Sequence, residues 1–229
     1  MDREPHRAGP ARVDQRLGGL RVAWAIGAAG CAAALVALAA LVFSGAARPL
    51  DSFVHDRLRA YSSHNPRFLD AMSALTHLGD TAFVALGAAA LIAVTLVRGR
   101  RSDAIFAFVA AVSAFVMSRV LRATLGRPRP ADRLWEVTDA GFPSGHAANA
   151  AALAAIVVIV CWPLLGRAGR VVITVGAAAY ATLVGLTRLA GAVHWLTDVL
   201  GGWFVAAACV FAVAALTRSG TDSGFPHKR

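Results

Sequence analysis

Charge is scarce in this 229-residue chain: 16% of its residues are Asp, Glu, Lys or Arg, against about a quarter in soluble domains. Lysine is nearly missing, and Lys228 is the one basic residue that is not arginine. The three cysteines, Cys31, Cys161 and Cys209, lie inside apolar runs without metal-ligand spacing, so they read as small packing residues. The chain has no internal repeat, no glycine-rich phosphate loop and no nucleic-acid-binding module. It also lacks the segments of roughly ten alternating residues that build a membrane barrel. These absences argue against a soluble domain, a barrel and a nucleic-acid partner.

What is present is apolar sequence in long runs, 57% hydrophobic overall. A helix rises about 1.5 Å per residue, so roughly 17–25 apolar residues cross a bilayer core of about 30 Å. Six such spans are expected, near 22–43, 81–97, 104–121, 147–165, 171–187 and 199–217. The third carries Arg119 near its end. The first is longer than the roughly 7–15 apolar residues of a signal peptide, so it is read as a span. The expected fold is therefore all-α, a six-transmembrane-helix bundle. The segment 45–80 has Phe53, Leu58, Tyr61, Phe68 and Leu75 spaced for short amphipathic helices on the interface. Simple interfacial packing is the preferred reading of that segment, and a lid over a lipid entrance is the alternative.

The arginines set an orientation. With the N-terminus in the cytoplasm, the basic tail 1–21, the connections holding Arg98, Arg100, Arg101, Arg167 and Arg170, and the tail 218–229 all fall inside, as the positive-inside rule expects. The chain then divides into a cytoplasmic tail 1–21, a membrane domain 22–217 and a second cytoplasmic tail 218–229. The remaining polar residues gather in two outer connections. One contains Arg122, Arg129-Pro130 and Pro143-Ser144-Gly145-His146. The other contains Thr187-Arg188, His194 and Asp198.

Ionisable groups at membrane edges are costly unless they pair or work. His194 and Asp198 are four residues apart at a helix start, hence on one face, where a carboxylate can fix the imidazole tautomer and leave the other nitrogen to attack. Ser144 precedes an apolar helix and can cap it, leaving backbone N–H groups to face an anion. Arg122, Arg129 and Arg188 supply guanidinium forks suited to phosphate.

The three segments resemble the signature of the type 2 phosphatidic acid phosphatase superfamily. Pro143 to His146 match its second motif, Arg129-Pro130 the end of its first, and Arg188, His194 and Asp198 its third. Arg122 stands where lysine is usual and Thr187 where serine is usual. Arg119, one turn before Arg122, could compete with it for phosphate. The resemblance implies an enzyme that hydrolyses a lipid phosphate. In that scheme His194 is nucleophile, Asp198 its orienting partner and His146 acid and base, while Arg122, Arg129, Arg188, Ser144 and Gly145 hold the phosphoryl oxygens. It implies no cofactor and no metal. The expected partners are membrane lipids and a lipid phosphate substrate: a polyprenyl diphosphate, phosphatidic acid or phosphatidylglycerol phosphate. The expected location is a bacterial plasma membrane with the site on its outer face. The rival readings are a lipid-linked phosphotransferase, a small anion or lipid transporter, a vanadium haloperoxidase and an inactive scaffold.

Overall fold

Apolar runs of bilayer length fold as helices because only a helix satisfies its own backbone in lipid. A computed structural model describes residues 10–218, with side chains from Gly18 onward. The parts of the two expected tails at 1–9 and 219–229 lie outside the described residues. In chain order the helices are α1 (Pro10–Phe43), α2 (Arg48–His64), α3 (Pro66–Thr76), α4 (Thr81–Val97), α5 (Arg101–Leu125), α6 (Gly145–Cys161), α7 (Arg167–Ala190) and α8 (Leu196–Thr217). Single 3-10 turns follow α3 and α6. Among the described residues there is no strand. Residues 10–21, assigned above to the cytoplasmic tail, belong to α1.

Among the described residues, five helices are long and apolar enough to cross a membrane: Gly18–Phe43, Arg101–Leu125, Gly145–Leu164, Arg167–Ala190 and Leu196–Thr217. The expected second span coincides with α4, which at 17 residues is at the short limit. It passes as a span together with Pro66–Gly79, from which it is bent by 46°. The segment 45–80 is helical, as α2 and α3, each begun by a proline in its first turn where a missing N–H costs nothing.

Helices α5, α6 and α8 form the core. Phe106, Ala110, Ala152, Ile156, Ala206 and Val210 are buried against one another there. Small residues let helix backbones approach where the hydrophobic effect cannot drive them together. Two ends result. At one, Asp103 pairs with Arg100 at 2.6 Å and Arg218 at 2.9 Å. At the other, the C-terminal ends of α5 and α7 meet the N-terminal ends of α4, α6 and α8. The polar connections 126–144 and 191–195 lie at that second end.

Candidate functional site

Local sequence brings the two connections together. α5 stops at Gly126, whose left-handed φ of 59° suits a residue without a Cβ. The following loop is rich in proline and is fastened by backbone bonds: Leu134 N–H to Gly191 O at 3.0 Å, Gly141 N–H to Arg127 O at 2.7 Å, and Ser144 N–H to Asp198 O at 2.8 Å. That last bond joins the two motif-bearing connections directly.

Asp198 has two local tasks. Its Oδ2 accepts the Trp195 N–H at 2.9 Å, closing the first turn of α8, and faces His194 Nδ1 at 3.3 Å. The other ring nitrogen, Nε2, lies 2.8 Å from Arg129 Nη1. A guanidinium only donates, so Nε2 carries the lone pair and the proton sits on Nδ1. His194 is buried. Burial, then Arg129, Arg188, His146 and Arg122 in that order, hold its pKa well below the ordinary 6.5, so the ring is neutral near pH 7.

Arg129 is fully engaged: Nε donates to Asp139 O at 2.7 Å, Nη2 to Asp139 Oδ1 at 2.7 Å, and Nη1 also to Val193 O at 2.6 Å. Arg122 Nη1 donates to Asp139 Oδ2 at 2.5 Å. One carboxylate thus bridges two guanidinium groups. Burial pushes the Asp139 carboxyl up, but Arg129 and Arg122 outweigh it and hold it below the ordinary 3.8. The Arg122 fork lies against Gly145: a Cβ there would sit 2.7 Å from Nη2, so a side chain at this position would displace the guanidinium. Arg119 is elsewhere, exposed and stacked 5.2 Å over the Phe115 ring.

Arg188 is buried at the end of α7, with Nη1 donating to Thr76 Oγ1 at 2.8 Å and the guanidinium 5.6 Å over the Trp135 ring. Its charge interacts with Arg129, Asp80 and Asp139. His146, on the first turn of α6, pairs through Nε2 with Asp80 Oδ1 at 2.9 Å, and Asp80 Oδ2 meets His77 Nδ1 at 2.8 Å. Ser144 occupies the position before α6 but makes no side-chain cap bond, contrary to the capping expectation. Its Oγ is buried without a hydrogen-bond partner, as are Arg122 Nε and Arg188 Nε.

All eight residues singled out from the sequence therefore lie at one end of the bundle. Sequence reasoning missed Asp51, Thr76, Asp80, Arg127 and Asp139, which hold them. Four lie outside the three motifs, and Arg127 lies inside the first at a position the motif leaves open. The usable signal was the low acidic count, 13 in the chain, which makes any carboxylate beside an apolar helix noteworthy. Below His146, a cavity of about 360 Å³ runs between α4, α5 and α6. Its polar end is formed by Thr81 and Asn149, which lie 3.4 Å apart, and its walls include Ala85, Ala89, Ala111 and Phe115.

The sequence is 28% identical over 181 residues to phosphatidylglycerophosphatase B of Bacillus subtilis (strain 168), a match covering 77% of this chain and 87% of that protein. The fold is similar to the crystal structure of a transmembrane PAP2-type phosphatidylglycerolphosphate phosphatase from Bacillus subtilis. That similarity has a TM-score of 0.70 and 25% identity, and covers 83% of this chain and 95% of the other. Aquifex aeolicus LpxE shares the fold at a TM-score of 0.58 and 19% identity, over 74% of this chain and 96% of the other. The PAP2 superfamily pattern matches residues 19–221, nearly the whole length, and the chain belongs to that superfamily.

Proposed function

We propose that this protein is a membrane lipid phosphatase that cleaves a phosphomonoester or diphosphate bond through a phosphohistidine on His194. The observation that carries this reading is the set of buried polar atoms without partners, Ser144 Oγ, Arg122 Nε and Arg188 Nε, around the neutral imidazole of His194. Buried polar groups ordinarily have a partner, and a phosphoryl anion would supply one to these three.

In the proposed reaction His194 Nε2 attacks phosphorus in line and the bond from phosphorus to the lipid oxygen breaks. His146 gives its proton to that oxygen, then takes one from the water that cleaves the phosphohistidine. With Nε2–H donated to Asp80, the proton given is the one on Nδ1: the ring enters as imidazolium, becomes neutral as the lipid oxygen leaves, and regains that proton from the water. Asp198 orients His194 and offsets the positive charge of the phosphorylated ring. Arg122, Arg129 and Arg188, with Ser144 Oγ and the Gly145 N–H, hold the phosphoryl oxygens. Asp139 must give up its two arginines when the anion arrives. No metal takes part, because the surrounding guanidinium groups repel a cation.

The substrate tail lies in the cavity between α4, α5 and α6, whose polar end at Asn149 is about one turn of α6 from His146. The named relatives put phosphatidylglycerol phosphate first among substrates to assay, beside phosphatidic acid and polyprenyl diphosphates. The arginines at the far end of the bundle support six spans, with α4 as the second, α2 and α3 on the outer interface, both termini in the cytoplasm and the site facing outward.

The test is phosphate release by detergent-purified protein from that panel, in excess chelator, with and without alcohol acceptors. Release by wild type and none by His194→Ala is expected. Alkyl phosphate formed at the expense of free phosphate would identify a phosphotransferase, and silence on every substrate would overturn the reading.

A further inference from the structure

Arg127 is the one arginine of the site that turns away from the phosphoryl position. Its Nη1 donates to Asp198 Oδ1 at 2.5 Å and to Thr197 Oγ1 at 2.7 Å, and its Nη2 to Asp51 Oδ2 at 2.7 Å. Asp51 lies on α2, far from every motif, yet it is buried. It accepts the Thr197 N–H at 3.0 Å on Oδ1 and the Thr197 hydroxyl at 2.7 Å on Oδ2. The Arg127 side chain is only 12% exposed and is covered by the Trp195 ring at 5.8 Å.

Four groups thus form a chain from α2 to the nucleophile: Asp51, Arg127, Asp198, His194. A buried carboxylate is costly unless paired, and Arg127 supplies the pairing for both. It also fixes the Asp198 carboxylate against rotation, since Oδ1 is held by Arg127 while Oδ2 serves Trp195 N–H and His194. The charge count matters as well. Two carboxylates share one guanidinium, so the cluster on the Nδ1 side of the neutral His194 carries one more negative charge than positive, opposite Arg129 on the Nε2 side. That charge is met when the ring becomes cationic on bonding to phosphorus. Without Asp51, Arg127 would neutralise Asp198 alone and weaken its support of that cation.

We propose that Arg127 and Asp51 are positioning residues that set the geometry and charge of Asp198 and, through it, the reactivity of His194. This deepens the phosphohistidine reading and rests on it. In detergent-purified full-length protein, Arg127→Ala should lower kcat for lipid phosphate hydrolysis by about 10²-fold, the scale of a misplaced reacting group. KM and the inhibition constant of vanadate should stay within about threefold of wild type, because Arg127 does not touch the anion. Millimolar guanidinium should restore part of the lost kcat in Arg127→Ala and none in His194→Ala. Arg127→Lys, which keeps the charge but cannot span both carboxylates, and Asp51→Asn should show smaller losses of kcat with the same unchanged vanadate inhibition.

Unchanged kcat in Arg127→Ala would overturn the proposal, and so would a parallel rise in KM and the vanadate constant, which would make Arg127 a phosphate ligand. If Arg127→Ala does not fold, Arg127→Lys and Asp51→Asn are judged by the same readouts. Failure of the underlying reading looks different: wild type itself would then accumulate no acid-labile phosphoprotein during turnover.

Discussion

Arg129 points its Nη1 at Nε2 of His194 from 2.8 Å, so the lone pair of the ring nitrogen assigned to attack is engaged by a guanidinium that must turn to a phosphoryl oxygen before that nitrogen reaches phosphorus. The same guanidinium that would hold a phosphoryl oxygen keeps the imidazole deprotonated and in one tautomer. Binding and activation of the nucleophile are thereby coupled through one side chain.

The pH dependence should report that coupling. His194 acts as a free base, and its pKa is pushed well below 6.5, first by burial and then by Arg129. Activity should therefore not fall as pH drops through 6.5, and should fall only below it. Arg129→Gln removes the nearest cation and should move that limb upward. Comparing kcat/KM profiles of the two proteins on one substrate cancels the ionisation of the substrate, and coincident limbs would contradict the prediction. The sign for folding is parallel: a depressed pKa supplies stability that is full above 6.5 and is lost as pH falls through the folded value.

Asp139 competes with the substrate. Its carboxylate takes the inner faces of Arg122 and Arg129, and the two arginines keep it ionised in spite of burial. The pair is partly solvated, with the Asp139 side chain 49% exposed, so the contest is modest. Asp139→Asn should tighten inhibition by orthophosphate and vanadate by about two- to fivefold. Weaker inhibition would mean that Asp139 instead holds the two arginines in place for the anion.

His146 should matter in proportion to the basicity of the leaving group. His146→Ala is expected to slow hydrolysis of an alkyl phosphate by about 10²–10⁴-fold, the usual contribution of a general acid. With p-nitrophenyl phosphate, whose leaving group needs no proton, the loss should be far smaller. Equal losses on both substrates would remove His146 from the role of acid.

The cavity between α4, α5 and α6 offers a test of substrate length. Ala85 and Ala89 are exposed on its wall, so a larger side chain there fills the cavity without overpacking the core. Ala85→Phe should raise KM for long-chain lipid phosphates while kcat/KM for a short, water-soluble phosphomonoester stays within about twofold. An equal effect on both would place the tail elsewhere.

Much of this protein was legible as sequence. Bilayer-length apolar runs become helices whatever their neighbours, because lipid offers the backbone no other partner, and the length of α8 follows from that alone. Motif spacing is also local: His194 and Asp198 share a helix start, so their pairing needs no knowledge of the rest of the chain. The 46° bend between the segment ending at Gly79 and α4 was not legible, because bends arise from packing. Nor was the free hydroxyl of Ser144, whose residue type favours a cap that the structure does not use.

By itself the sequence determined which segments are helical, the order of the motifs and the side chains available for chemistry, since these depend on near neighbours and on the solvent of each run. Only the tertiary structure decided which charges neutralise one another. Asp51 reaches Arg127 and Thr197, Asp80 reaches His146, and Thr76 reaches Arg188, each across tens of residues. Such partners leave no periodic trace. A buried ion is matched by whatever group the fold brings within hydrogen-bond reach, and that distance is set by how helices pack.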